Sequence, residues 1–287
     1  MSGGARATDA AAFCADLVRT HDFARYAATL FVPANERRAL LALYAFNAEI
    51  VRVRDQVTQP LPGEIRLQWW TDMLAGHVHG SAEGNPVAAE LLTAIHDYEL
   101  PAEPLSRLIE EHQFDLYNDP MPTMAALEGY LTETCAALLS LAARICAHPS
   151  EAIDHLARHA GLAQGMVQVI GSLPRDAAHR QLFVPQQLLE GHGSTIDEVF
   201  AAKETPALRA ALDELAGEAR QHIATATSLL VEIPPQARLA FLPLAAARRD
   251  LARLSRADRN PFLPQPPSRL GTLWTLWRAS RSRQFTK

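Results

Sequence analysis

Through nearly the whole chain the apolar residues recur at steps of three and four, and period-two alternation is almost absent. Leu40, Leu43, Tyr44, Phe46, Ile50 and Val53 form one apolar stripe within 35–57. The same spacing predicts helices over 63–74, 86–98, 104–117, 206–231 and 235–255, and a short one in 185–200 that exits through Gly191 and Gly193. Segments 124–146 and 151–170 are long, Ala-rich and apolar, as expected of central bundle helices. Residues 171–184 mix Gly, Pro, Asp and His, and are expected to leave the helix for a polar loop carrying Asp176. The class is therefore all-α. No repeat, low-complexity tract or long linker interrupts the pattern. The expected organisation is an N-terminal extension at 1–19, a helical domain at 20–258 and a tail at 259–287.

Composition narrows the function. With 48% hydrophobic and 21% charged residues the 287-residue chain can bury a sizeable core and is not a disordered polymer. Its 27 Lys+Arg against 32 Asp+Glu leave a net charge of -5, the wrong sign for coating a phosphate backbone, so nucleic acid is not an expected partner. Cys14, Cys135 and Cys146 are too scattered for a disulfide framework or zinc site and are expected as small core residues in a reducing compartment. The first residues lack the apolar stretch of a signal peptide, and no apolar run is long enough to span a bilayer. A cytoplasmic location is the expectation.

The tail differs from the rest. Pro261, Pro264, Pro266 and Pro267 make an extended lead-in to Leu270, Leu273, Trp274, Leu276 and Trp277, followed by Arg278, Arg281, Arg283 and Lys287. Such a segment either docks on the bundle with a solvated basic end or lies on an anionic membrane, here at its inner face. Other candidate groups read as structure. His155 and His159 form an i, i+4 pair without a third metal ligand, and Ser140 and Ser172 have no His and acid to form a hydrolytic triad. Gly161, Gly165 and Gly171 fall within a helical stretch and are expected to permit close helix packing rather than to cradle phosphate.

The ordered series Asp22-Phe23, Leu30-Phe31-Val32-Pro33, Arg37-Arg38, Ala42-Leu43-Tyr44-Ala45-Phe46, Trp69, Gly76, Asn85-Pro86-Val87, Asp115-Leu116, Tyr130, Gly161-Leu162-Ala163 and Phe183-Val184-Pro185 resembles the squalene/phytoene synthase family, over roughly residues 20–255. The resemblance implies an isoprenoid-synthase-type helical bundle with a central cavity. Active members of that family join two prenyl diphosphates head to head, using Mg²⁺ held between two Asp-rich motifs. Carboxylates four residues apart lie one helical turn apart and can aim at one metal cluster, which stabilises the departing diphosphate.

At those motifs this sequence departs from the family. The positions matching the first motif are Val51, Arg52 and Asp55, and those matching the second are Gln168, Ser172, Arg175 and Asp176. Each motif loses its first carboxylate and keeps its last. Glu49 lies about 120° around the helix from Asp55 and cannot substitute. Arg52 and Arg54 flank the place of the metal ions, where one like charge at about 4 Å costs on the order of 4 kcal/mol at an effective dielectric of about 20. The same arginines have the guanidinium fork that grips phosphate without a metal. By resemblance, Phe23, Tyr44, Phe46, Arg52, Asp55, Asp115, Tyr130, Gln168 and Asp176 are the candidate ligand-binding residues, with Asp55 and Asp176 the remaining metal candidates.

Ala45 to Glu49, Leu67 to Trp70, Pro86 to Leu91, Gly161 to Gly165 and Arg180 to Pro185 resemble the branch of the family that includes the mitochondrial complex I assembly factor and its bacterial relatives. That likeness implies a non-catalytic role in building the respiratory NADH dehydrogenase, with complex I subunits or assembly intermediates as partners and no cofactor. The alternative is a working Mg²⁺-dependent prenyltransferase using Asp55, Asp115 and Asp176 on farnesyl or geranylgeranyl diphosphate.

Overall fold

Residues 2–77 and 84–286 of this computed structural model are described; among them are helices and turns and no strand. The helices are α1 (Ser2–His21), α2 (Phe23–Thr29), α3 (Ala34–Arg52), α4 (Pro60–Leu74), α5 (Pro86–Asp97), α6 (Ala102–Glu111), α7 (Met124–Leu131) and α8 (Ala137–Cys146). They continue with α9 (Glu151–Ala178), α10 (Gln186–Gly191), α11 (Ile196–Phe200), α12 (Pro206–Leu229), α13 (Pro235–Arg238), α14 (Pro243–Leu254), α15 (Arg269–Ser280) and α16 (Arg283–Thr286). The all-α expectation holds.

Local chemistry sets the starts. Asn85 accepts from the N–H groups of Val87 and Ala88, Thr123 from Ala126, Ser150 from Ile153 and Thr205 from Leu208, each side chain satisfying donors that a first helical turn leaves unpaired. Helix α9 is the spine, packed along α12 and against α8 and α14. Leu40, Leu43, Tyr44, Phe46, Ile50 and Val53 are all buried, as their spacing predicts. Helix α1 belongs to the same core through Cys14, Leu17 and Val18, packing on α3 and α5.

Several predicted helices are broken. The 35–57 helix ends at Arg52: the Val53 N–H turns to the Ile50 carbonyl, a 3₁₀ turn follows at Arg54–Gln56, and Val57 is extended. The 104–117 segment ends its α-helix at Glu111 and adds a 3₁₀ turn at Phe114–Leu116. The 124–146 segment is interrupted by a π turn at Thr132–Ala136, where the Thr132 and Thr134 hydroxyls donate to the Glu128 and Tyr130 carbonyls four residues back. The 235–255 segment breaks ahead of Pro243, which opens α14.

At the end of α9 the error runs the other way. The helix continues past Ile170 and through Pro174 to Ala178, so Asp176 lies in a helical turn and not in a polar loop. The apolar ladder Val169, Ile170, Leu173 and Ala177 keeps one face buried, and this packing outweighs the single hydrogen bond that proline removes. A Cβ on Gly161 would lie 2.4–2.6 Å from Ala136, and one on Gly165 2.3 Å from a Leu131 methyl. These two glycines therefore do permit close approach, there of the π turn and the end of α7. Gly171 does not, since its nearest neighbour would be an ordinary 3.5 Å contact with Leu254.

Helix α15 docks on α14 and α2 through Thr272 and Leu276, while Leu270, Trp274 and Trp277 stay exposed. Lys287, read from sequence as the last residue of the basic cluster, lies outside the described residues.

Candidate functional site

A cavity of about 610 Å³ opens between the end of α3, the π turn and the second half of α9. Val51, Arg52 and Asp55 line one side; Gln168, Ser172 and Asp176 line the other, with Asp115 and Tyr130 between them. The bundle thus gathers both sets of candidate motif positions around one space.

The other three expected ligand residues do not line it. Phe46 is fully buried edge-on to Trp70, Tyr44 lies in the core beneath the Arg25 guanidinium, and Phe23 packs by Tyr26 with Arg269 over its ring. They sit on the apolar stripes of α2 and α3, and an aromatic at helical spacing serves core packing equally well. Cys135, expected in the core, is instead half-buried on the cavity wall, and burial pushes its thiol up, which disfavours the nucleophilic thiolate.

Each side of the cavity has distinct electrostatics. On the α3 side Arg52 pairs with Glu49 at 3.2 Å and Arg54 donates to the Asn118 side chain at 3.0 Å, while Asp55 is exposed on its 3₁₀ turn. His21 nearby is pushed below the usual imidazole range by burial and then by Arg52. On the α9 side the Ser172 hydroxyl donates to Asp176, and Arg175 reaches the other carboxylate oxygen at 3.2 Å. Burial raises the Asp176 carboxyl above its usual range, with Ser172 and Arg175 opposing.

Between the two sides lies a buried polar knot in which the expected Asp115 and Tyr130 meet His112 and Gln181, the two members that sequence reasoning missed. His112 Nδ1 is 2.7 Å from Asp115 Oδ2, the Tyr130 hydroxyl donates to Asp115 Oδ1 at 2.9 Å, and the Gln181 amide donates to the Asp115 carbonyl at 3.1 Å. Burial, then the Asp115 charge, holds the Tyr130 phenol well above its usual range. The His112–Asp115 i, i+3 spacing was the available signal, though it gains meaning only where the chain tightens into the 3₁₀ turn after α6. The structure also brings in Asp22 and Arg25, an ion pair at 2.7 Å in which Asp22 caps α2 as well.

The donor set does not fit the divalent cluster that the resemblance implies. A Mg²⁺ site needs carboxylate oxygens free to coordinate. Asp22, Asp115 and Asp176 already accept hydrogen bonds from side chains, Asp55 stands apart on the rim, and Val51 and Ser172 occupy the leading positions. Away from the cavity, His222 on α12 brings its Nδ1 to 2.8 Å from His159 Nδ1, with the His155 ring edge-on to His159. The third histidine that the sequence did not supply is thus present; among the described residues, however, no group of three His, Cys, Asp or Glu is arranged to hold a metal.

The squalene/phytoene synthase family model matches residues 18–278. A complex I assembly factor 6 of Mus musculus is 29% identical over 252 residues, spanning 88% of this chain and 76% of that protein. A presqualene diphosphate synthase of Rhodopseudomonas palustris is 24% identical over 210 residues, spanning 73% of this chain and 75% of that enzyme. Among solved structures, squalene synthase HpnC from Alicyclobacillus acidocaldarius superposes with a TM-score of 0.72 at 23% identity, covering 86% of this chain and 93% of that one.

Proposed function

The chain belongs to the squalene/phytoene synthase family, and from that premise we propose that it is a non-catalytic member supporting assembly of the respiratory NADH dehydrogenase. The observation that carries this reading is the cavity itself. Its walls and the motif helices persist, while Val51 and Ser172 stand where the leading carboxylates belong and Asp176 is held by Ser172 and Arg175. Head-to-head coupling begins by ionising an allylic diphosphate, and that charge separation needs a preorganised cationic cluster to receive the leaving group. The similarity to complex I assembly factors supports the biological setting.

Two experiments test the reading. Deleting the gene should deplete fully assembled NADH dehydrogenase on native gels; normal assembly would overturn it. Purified protein given farnesyl or geranylgeranyl diphosphate with Mg²⁺ should make no coupled product. Coupled C30 or C40 product that Asp55→Asn and Asp176→Asn both abolish would establish the prenyltransferase alternative instead.

We further propose that α15 places the protein on an anionic membrane. Leu270 and Trp274 are more than half exposed, Trp277 stacks on Trp274, and Arg281 lies over the Trp277 ring. Aromatic residues bordered by arginines match an acidic lipid interface. Trp274→Ser with Trp277→Ser should reduce sedimentation with phosphatidylglycerol vesicles; unchanged sedimentation would end the idea.

A further inference from the structure

A second concavity lies outside the central cavity, between the outer faces of α12 and α14. It has a section of about 440 Å³ bordered by α15 and α16 and another of about 850 Å³ further along α12. Ile223, Thr227, Arg248, Ala252 and Gln284 line both sections, so the two form one groove. Arg220, Ala224, Ser228 and Val231 recur at steps of three and four and share one exposed face of α12, over about 16 Å. Buried Ile223, Leu244 and Leu251 make an apolar floor. Ala224, Ser228 and Ala252 are small, which leaves room for another helix to approach closely.

The charge of this groove is one-sided. The chain carries 32 Asp+Glu and a net charge of -5, yet among the described residues no acid lines either section. Four arginines do. Arg249 is tied to Asp250, Thr272 and Thr275, whereas Arg220, Arg248 and Arg278 are exposed and make no hydrogen bond or ion pair with the described residues. These three are spread out: Arg220 lines only the far section, Arg278 only the section by α15, and Arg248 both. A phospholipid carries its charge at one end of an apolar tail and would need the guanidinium groups gathered together. An amphipathic helix instead bears acids at intervals along both flanks of an apolar stripe, which matches cations set along an apolar floor. We propose that the groove docks an acidic amphipathic helix of a partner protein. Its stripe covers the floor and Val231, which is 60% exposed, and its flanking carboxylates meet Arg220, Arg248 and Arg278. Exposed ion pairs add little affinity singly, so the stripe supplies the binding and the arginines select the partner.

This inference rests on the reading of the protein as an assembly factor that works through protein partners. It is tested in the native host by photocross-linking the full chain with benzoylphenylalanine in place of Ser228. Mass spectrometry of the adduct should return a protein segment with apolar residues at i, i+3 or i+4, and i+7, and at least two acids on its flanks. Arg248→Glu should cut the cross-link yield at least fivefold and Arg220→Glu at least twofold, while Arg248→Lys should keep it. Replacing the acids of the captured segment by lysine should restore the yield with Arg248→Glu. Arg19→Glu, an exposed reversal on α1 outside the groove, should change nothing. Thermal melting identifies either groove variant if it misfolds, and the other then decides. A captured segment without acids, an adduct with phospholipid alone, no adduct, or a yield indifferent to the groove reversals would each overturn the proposal. A failure of the assembly reading would appear separately, as normal NADH dehydrogenase in the deletion strain.

Discussion

At the end of α3 the surviving aspartate, Asp55, is exposed on a 3₁₀ turn, beside arginines that pair with Glu49 and Asn118. At the end of α9 the surviving aspartate, Asp176, is 3% exposed and accepts from Ser172 and Arg175. Each wall carries one of these aspartates, yet one is an open basic rim and the other a closed hydrogen-bonded one. The difference follows from the backbone. Helix α9 runs to Ala178 and keeps positions 172 and 176 one turn apart, so a serine in the first can hold the acid in the second. Helix α3 stops at Arg52, which separates Asp55 from the helical register of Val51.

If the α9 wall and the knot behind it are the tied side, its deepest bond should matter most. Asp115→Ala removes the acceptor shared by His112 and Tyr130 and should cost about 3 kcal/mol in urea unfolding at neutral pH; a loss below about 1 kcal/mol would break the contrast between the walls. Next in size is Gly161→Val, which drives a side chain into the Ala136 backbone and should cost about 2 kcal/mol by thermal melting. Gly171→Ala, with only an ordinary contact to meet, should cost nothing and gain up to about 1 kcal/mol of helix propensity.

A sharper test compares the two aspartates directly. The Asp176 carboxyl is raised by burial, so the folded state holds its proton more tightly than the unfolded chain does. Its contribution therefore favours folding in acid and is lost as pH rises through the folded value. Ser172→Ala removes the donor that offsets this loss. It should destabilise by about 1 kcal/mol at neutral pH and by progressively less in acid. Asp55→Asn should stay within about 0.5 kcal/mol, because its side chain is exposed. A Ser172→Ala cost independent of pH would show that Asp176 is not the partner that matters.

The smallest effect lies on the outer face of α9. Burial lowers His159 and His222 below the usual imidazole range; His222, His155 and Arg158 add to it at His159, whereas Glu128 and Glu218 oppose it at His222. The folded state then binds fewer protons than the unfolded chain, so stability is present above about pH 6.5 and falls as pH drops through and below it. His222→Gln should flatten that acid slope in a chemical-denaturation series, and an unchanged slope would assign it to other groups.

Much of the bundle was legible because burying one face of a helix needs only a repeat of apolar residues, and that repeat is in the chain. The stripe of α3 could be read this way, and the helical setting of Gly161 and Gly165 pointed to their close-approach role. The ends of helices were harder. Periodicity continued through Val53 and across 132–136, where the backbone tightens or widens, and composition ended α9 too early at Ile170. The motif positions around the cavity were legible by resemblance. Phe23, Tyr44 and Phe46 were misplaced because an apolar residue on a helix does not announce whether core or cavity faces it.

The sequence by itself determined the helical class, the membership of the squalene/phytoene synthase family and the presence of valine and serine at positions 51 and 172. These are properties of residue identity and spacing. Only the tertiary structure decided which polar groups are satisfied. His112 and Asp115 meet Tyr130 across 15–18 residues, Gln181 reaches back 66 residues, and His222 meets His159 across 63. Hydrogen-bond satisfaction is a matter of distance in space, set by how α6, the π turn and α9 pack, and no local pattern in the chain records it.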